Sequence, residues 1–148
     1  MTESSAVYRV YVEKKPGFDT QAASLLSELR EVLGVTRLSG LRLFHRYDVE
    51  GLSQPEMEQA HYSVFAERNA DHLYREDLPE MAGDLLAVAY QDGQFDQRAD
   101  SAEKCLQLQT GRRDARVRTA QVYAFFGDLS AEDLAALARY LVNEVDSW

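Results

Sequence analysis

The stretch GFDTQAASLLSELREVLG at residues 17–34 returns, one residue longer, as GQFDQRADSAEKCLQLQTG at residues 93–111. Phe18-Asp19 matches Phe95-Asp96, Ala22 matches Ala99, Ser24 matches Ser101, Leu29 matches Leu106 and Gly34 matches Gly111, all at an offset of 77 residues. The same offset carries Leu52-Ser53 onto Leu129-Ser130, while Gly17/Gly93 and Gly51/Gly127 recur one residue out of phase, so six of the eight glycines fall in pairs. A repeat sets the architecture, because each copy is one supersecondary unit.

Each copy reads as strand, helix, strand, helix, strand. Val7–Glu13 is β-branched and aromatic and ends at Pro16-Gly17, which predicts a strand and a turn. Ala22, Leu25, Leu26, Leu29, Val32 and Leu33 form a helix-period stripe, with Asp19 placed as N-cap and Gly34 as the stop. Leu41, Leu43, His45, Tyr47 and Val49 alternate with Arg42, Phe44, Arg46 and Asp48, a strand with one drier face. Ser53-Gln54-Pro55-Glu56 spells a capping box stapled by Leu52 and Met57, and Ser130-Ala131-Glu132-Asp133 repeats the device. Tyr62–Ala66 extends the short helix, and His72-Leu73-Tyr74 is the third strand. The second copy supplies strand Leu85–Tyr90, helix Arg98–Leu108, strand Val117–Phe126 and helix Ala131–Val142, and stops short of a third strand. We expect an α+β fold of two tandem repeats, at about 6–80 and 84–148, meeting face to face as a pseudo-twofold sandwich within a single domain spanning 1–148.

The balance of 16 basic against 25 acidic residues gives a net charge of -9, which argues against nucleic acid or an anionic membrane as partner. No apolar run is long enough to span a membrane and no signal segment opens the chain, so a cytoplasmic location is expected. Cys105 stands alone, without a disulfide framework or a cysteine-rich metal site.

Self-contained catalysis finds little support. There is no GxxxxGK[ST] loop and no GxGxxG after a strand, so nothing here cradles ATP phosphates. Cys105 reads as a mid-helix thiol in the packed core or at its boundary rather than a nucleophile. His45, His61 and His72 match no ligand spacing, and His45 and Asp48 point to opposite faces of one strand. The segment that stands out is Phe95–Ser101. Asp96 caps a helix whose start presents amides and partial positive charge, and Arg98, Asp100 and Ser101 complete a candidate interface. Arg112, Arg113, Arg116 and Arg118 read as a solvated loop, and Tyr74–Pro79 as a surface connector.

The segments VYRVYVEKKPGFD (7–19), RYDVEGLS (46–53), GQFDQRADSAEKCLQL (93–108) and VRTAQVYAFFGDLS (117–130) resemble the amino-terminal domain of the large, single-chain phosphoribosylformylglycinamidine synthase. The resemblance implies two fused copies of the small S subunit of the multi-subunit enzyme, each ferredoxin-like. It also implies a place in purine biosynthesis, within an ATP-dependent glutamine amidotransferase that uses ATP and Mg. The ATP site and the glutaminase cysteine lie downstream, so this segment is expected to hold no cofactor or metal and no catalytic residue. It would serve as a scaffold docked on the synthetase and glutaminase parts, with Asp96, Arg98, Asp100 and Ser101 as the docking candidates. Two alternatives are a free-standing small-molecule-sensing or accessory module with its ligand at the seam of the repeats, and a small enzyme using His45, His61 or Asp48. An unfinished second copy leaves a sheet edge open, so the isolated piece is expected to self-associate.

Overall fold

The structure is a computed structural model that describes residues 6–91 and 93–146. In chain order the elements are β1 (Val7–Lys14), α1 (Thr20–Glu31), β2 (Leu38–Glu50), α2 (Gln54–Ala60), β3 (Asp71–Arg75), β4 (Asp84–Ala89), α3 (Gln97–Thr110), β5 (Arg116–Gly127) and α4 (Ala131–Asp146). A π-helical turn, His61–Phe65, continues α2 as the sequence anticipates. The five strands form one open antiparallel sheet in the order β3-β1-β2-β5-β4, so the fold is α+β and compatible with a ferredoxin-like type.

The two halves do not meet face to face. They join side by side through β2 and β5, which pair from Leu38–Gly127 to Glu50–Arg116 and fuse both sets of strands into one sheet. Face-to-face packing would have left the backbone edges of β2 and β5 unpaired, whereas edge joining satisfies them along both strands.

All four helices lie on one face. Val10, Val12, Tyr47, Val49 and Val117 pack against Met57 and Ala60 of α2 and against Ala99, Ala102 and Leu106 of α3. Leu43, Val88, Tyr123 and Phe125 pack against Leu29 of α1 and against Leu137 and Leu141 of α4. These are alternate positions of paired strands and therefore share a side. The opposite face carries Tyr11, Phe44, Val122 and Ala124, with Leu78 and Met81 packed on them. The connector after β3 thus covers apolar surface, which its acidic composition hid. Ion pairs fill the rest of this face: Arg9 grips Asp48 at 2.6 and 3.2 Å, and Arg42 grips Glu13 at 2.7 Å twice.

Both capping boxes form. Ser53 Oγ accepts from the Glu56 amide while the Ser53 amide donates to Glu56 Oε1, and Ser130 and Asp133 exchange the same two bonds. Leu52 and Met57 are buried as the staple requires. Gly111 ends α3 in a left-handed conformation, with its amide donating to Gln107 O. Gly34 takes a left-handed conformation in the turn after α1, although the cap position itself is Val32.

Candidate functional site

The two apolar clusters on the helix face stay separate because a polar pair divides them. Reading across the sheet, one row runs Leu73, Val12, His45, Gln121, Val88, so β2 and β5 contribute a histidine and a glutamine where the flanking strands contribute aliphatic residues. No helix covers the centre of this row. It floors a cleft of about 460 Å³, walled by Gln21 at the start of α1 and by Gln97, Arg98, Ser101 and Cys105 on α3. A second pocket of about 280 Å³ adjoins it, sharing Gln21, His45, Tyr47 and Arg98 and reaching Lys14 and Asp71.

Of the four interface candidates, two face this cleft. Arg98 is exposed at its mouth and donates from Nη1 to Tyr47 Oη at 3.3 Å, and Ser101 lines the wall one turn further on. Asp96 is spent on structure. Its Oδ1 accepts from the Ala99 amide at 3.0 Å, capping α3, and its Oδ2 accepts from the Thr119 amide at 3.2 Å and the Thr119 hydroxyl at 2.6 Å. Asp100 turns to Lys104 at 2.9 Å on the outer surface of the helix. Asp96 therefore sets the position of α3 on β5, and α3 in turn carries Arg98 and Ser101 over the row.

Of the two sequence expectations for Cys105, a core or a boundary thiol, the structure excludes the core: the residue is exposed. The buried stripe of α3 runs through Ala99, Ala102 and Leu106, and Cys105 falls beside it, one turn after Ser101 on the cleft side. The arginine cluster behaves as a structured loop. Arg112 pairs with Glu56 at 3.1 Å, and Arg116 donates to the carbonyls of Arg113 and Ala115.

His45 and Gln121 escaped the sequence reading as a pair, since their contact depends on the β2–β5 register. The signal present was a histidine on the apolar face of a strand. Burial pushes the His45 imidazole down to about 4, helped by the nearby cations Arg98 and Lys14 and opposed by Asp71, so it is neutral at pH 7. Among the described residues it meets no hydrogen-bond partner. His61 is also lowered, by burial and Arg75, but lies on the far side of α2. Asp48 is on the opposite sheet face, paired with Arg9 and Arg46, which separates it from His45 as the strand alternation requires.

No protein-family model, curated protein or solved structure matches this chain. Among the described residues no group of three or more His, Cys, Asp or Glu side chains is placed to hold a metal ion, and no helix is long and apolar enough to cross a membrane. The cleft offers one guanidinium, one neutral imidazole, the exposed Cys105 thiol, and several amide and hydroxyl groups.

Proposed function

We propose that this chain is the amino-terminal scaffold domain of a phosphoribosylformylglycinamidine synthase, built as a pseudo-dimer of two S-subunit-like repeats that hold synthetase and glutaminase parts together for ammonia transfer. The observation that carries it is the four-strand core of one row, Val12–His45–Gln121–Val88, which reads apolar, polar, polar, apolar in either direction across β1, β2, β5 and β4, with Leu73 of β3 extending it on one side alone. Tyr47 and Tyr123 stand two residues to opposite sides of that row. Val12 to Val88 and His45 to Gln121 are each 76 residues apart, the spacing that also separates Gly17 from Gly93 and Gly51 from Gly127, which supports a twofold relation of β1 to β4 and β2 to β5, with β3 outside it. The helix caps, Asp19/Asp96 and Ser53/Ser130, keep the longer spacing because one residue is added in the loops that precede them. Two fused copies of one small subunit have this arrangement, and the sequence resemblance points to the same ancestor. ATP, Mg and glutamine chemistry belong, on this proposal, to the downstream parts.

Assembly is tested by mixing the chain with the synthetase and glutaminase parts encoded in the same genome and measuring mass by light scattering during gel filtration. Co-elution as one complex is the expected result, and separate elution of all three at micromolar concentration contradicts the proposal. The outer edge of β4 has no strand partner among the described residues, and Leu85 on it is exposed. Self-association of the isolated chain follows, and a strict monomer in sedimentation equilibrium contradicts that part.

A further inference from the structure

We propose that the cleft over the His45–Gln121 pair binds a small molecule carrying a carboxylate, held by the Arg98 guanidinium; this goes beyond the scaffold role, which needs no ligand. Charge makes the first part of the case. The chain has 25 acidic residues against 16 basic, yet no Asp or Glu side chain is among the described residues that line this cleft; Glu13, Asp19 and Asp71 line only the adjoining pocket, on the other side of the Arg98, Gln21, His45 and Tyr47 that both share. Arg98 is the one charged group in that lining, and among the described residues it has no ion-pair partner.

Geometry makes the second part. A guanidinium has five N–H donors in a planar fork, and Arg98 uses one of them on Tyr47 Oη. The remaining fork matches a carboxylate in a bidentate pair, the stronger kind of charge-assisted contact. Around it stand neutral hydrogen-bonding groups: Gln97, Ser101, Gln121, and the unpartnered His45, whose ring offers one donor and one acceptor. A volume of about 460 Å³ lies within the range of small-molecule sites.

Stoichiometry of charge selects a carboxylate over a phosphate. A phosphate monoester carries roughly -1.5 to -2 at pH 7, and Arg98 supplies a single positive charge. The start of α3, which could have added amide donors, is already occupied by the Asp96 carboxylate, and that negative charge opposes a dianion.

The test is a titration of the ¹⁵N-labelled chain with acetate, succinate, L-glutamate and inorganic phosphate in turn, at constant ionic strength. It follows the Arg98 Nε–H and the amides of Ser101 and Gln121 by NMR. At least one carboxylate should give saturable shifts at all three positions. Arg98→Ala, at an exposed position, should weaken that binding about tenfold or more, as expected for loss of a charge-assisted fork. Arg113→Ala, outside the cleft, should leave it unchanged. Absence of saturable shifts with every carboxylate overturns the proposal. So does equal binding by the Arg98→Ala variant, or saturation by phosphate with none by carboxylates. Because the protein is titrated alone, failure here leaves the assembly test untouched, and failure of assembly leaves this one untouched.

Discussion

The helices α1 and α3 start with the same dipeptide, Phe-Asp, and use it differently. At the first start the Asp19 carboxylate turns back to the Gly17 amide at 3.2 Å and makes no side-chain cap. At the second, Asp96 caps α3 and also anchors it to β5 through both donors of Thr119. The strand position that corresponds to Thr119 in the first half is Leu43, which has no hydroxyl to offer. The hydroxyl of Thr119 thus supplies one bond of the tie that Leu43 cannot supply, beside a backbone amide that both positions have. The tied copy is also the one that carries Arg98, where the first copy has Gln21. Two helix starts of like sequence thus differ in role, and the second forms a wall of the cleft.

Four pairs of equivalent residues test how far the two halves differ. The largest effect is expected at the equivalent glycines that close β2 and β5. A Cβ at Gly127 would sit 2.2 Å from the Arg37 carbonyl oxygen at φ +135°, and one at Gly51 would sit 2.8 Å from the Asp114 carbonyl oxygen at φ +92°. Gly127→Ala should cost about 4 kcal/mol and Gly51→Ala about 3 in urea unfolding, from backbone strain plus overpacking. Next, Asp96→Ala leaves the buried Thr119 donors and the Ala99 amide unpaired and should cost about 2–3 kcal/mol, whereas Asp19→Ala should cost less than about 0.5. Equal costs for the two aspartates would end the distinction drawn between the helix starts.

The third pair is His45 against Gln121, of which only the histidine titrates. With its folded value near 4, below the ordinary 6.5, His45 contributes stability that is complete above pH 6.5 and is lost as pH falls toward 4. Between those limits the loss should reach about 2 kcal/mol, with Arg98, Lys14 and Asp71 as the charged groups facing the ring. His45→Gln, which places the same residue at both central positions, should flatten the variant's own pH dependence by this amount, so that the wild-type-minus-variant difference shows the His45 slope, while the slope from His61 remains in both. A variant whose stability falls as steeply as wild type over this window contradicts a buried neutral His45. Smallest are the capping boxes. Ser53→Ala should cost about 1 kcal/mol and the more exposed Ser130→Ala about 0.5, both read from thermal or urea unfolding.

The element order and both capping boxes were legible because they rest on local signals, such as Ser53 with Glu56, or the alternation from Leu41 to Val49. What stayed hidden is nonlocal. Edge-to-edge joining of the halves depends on β2 and β5 pairing residues far apart in sequence, and nothing in either strand alone distinguishes that from face-to-face stacking. Leu78 and Met81 sit in a connector whose charges suggested solvent, yet they cover the second face of the sheet. Cys105 lies only one position from the buried Leu106, and a helical stripe is too narrow for composition to say on which side of its border a residue falls. Of the candidate site, Arg98 and Ser101 were found from the helix start they share, whereas Asp96 was a cap first and His45 and Gln121 needed the register.

On the proposed function, this chain acts as the scaffold of a glutamine-dependent amidotransferase. That role is tested most directly by measuring glutamine-dependent formation of formylglycinamidine ribonucleotide by the synthetase and glutaminase parts, with this chain present and with it withheld. Turnover that requires the chain, while ammonia-dependent turnover by the synthetase part persists without it, is the predicted result. Glutamine-dependent turnover at the same rate in its absence would contradict the claim.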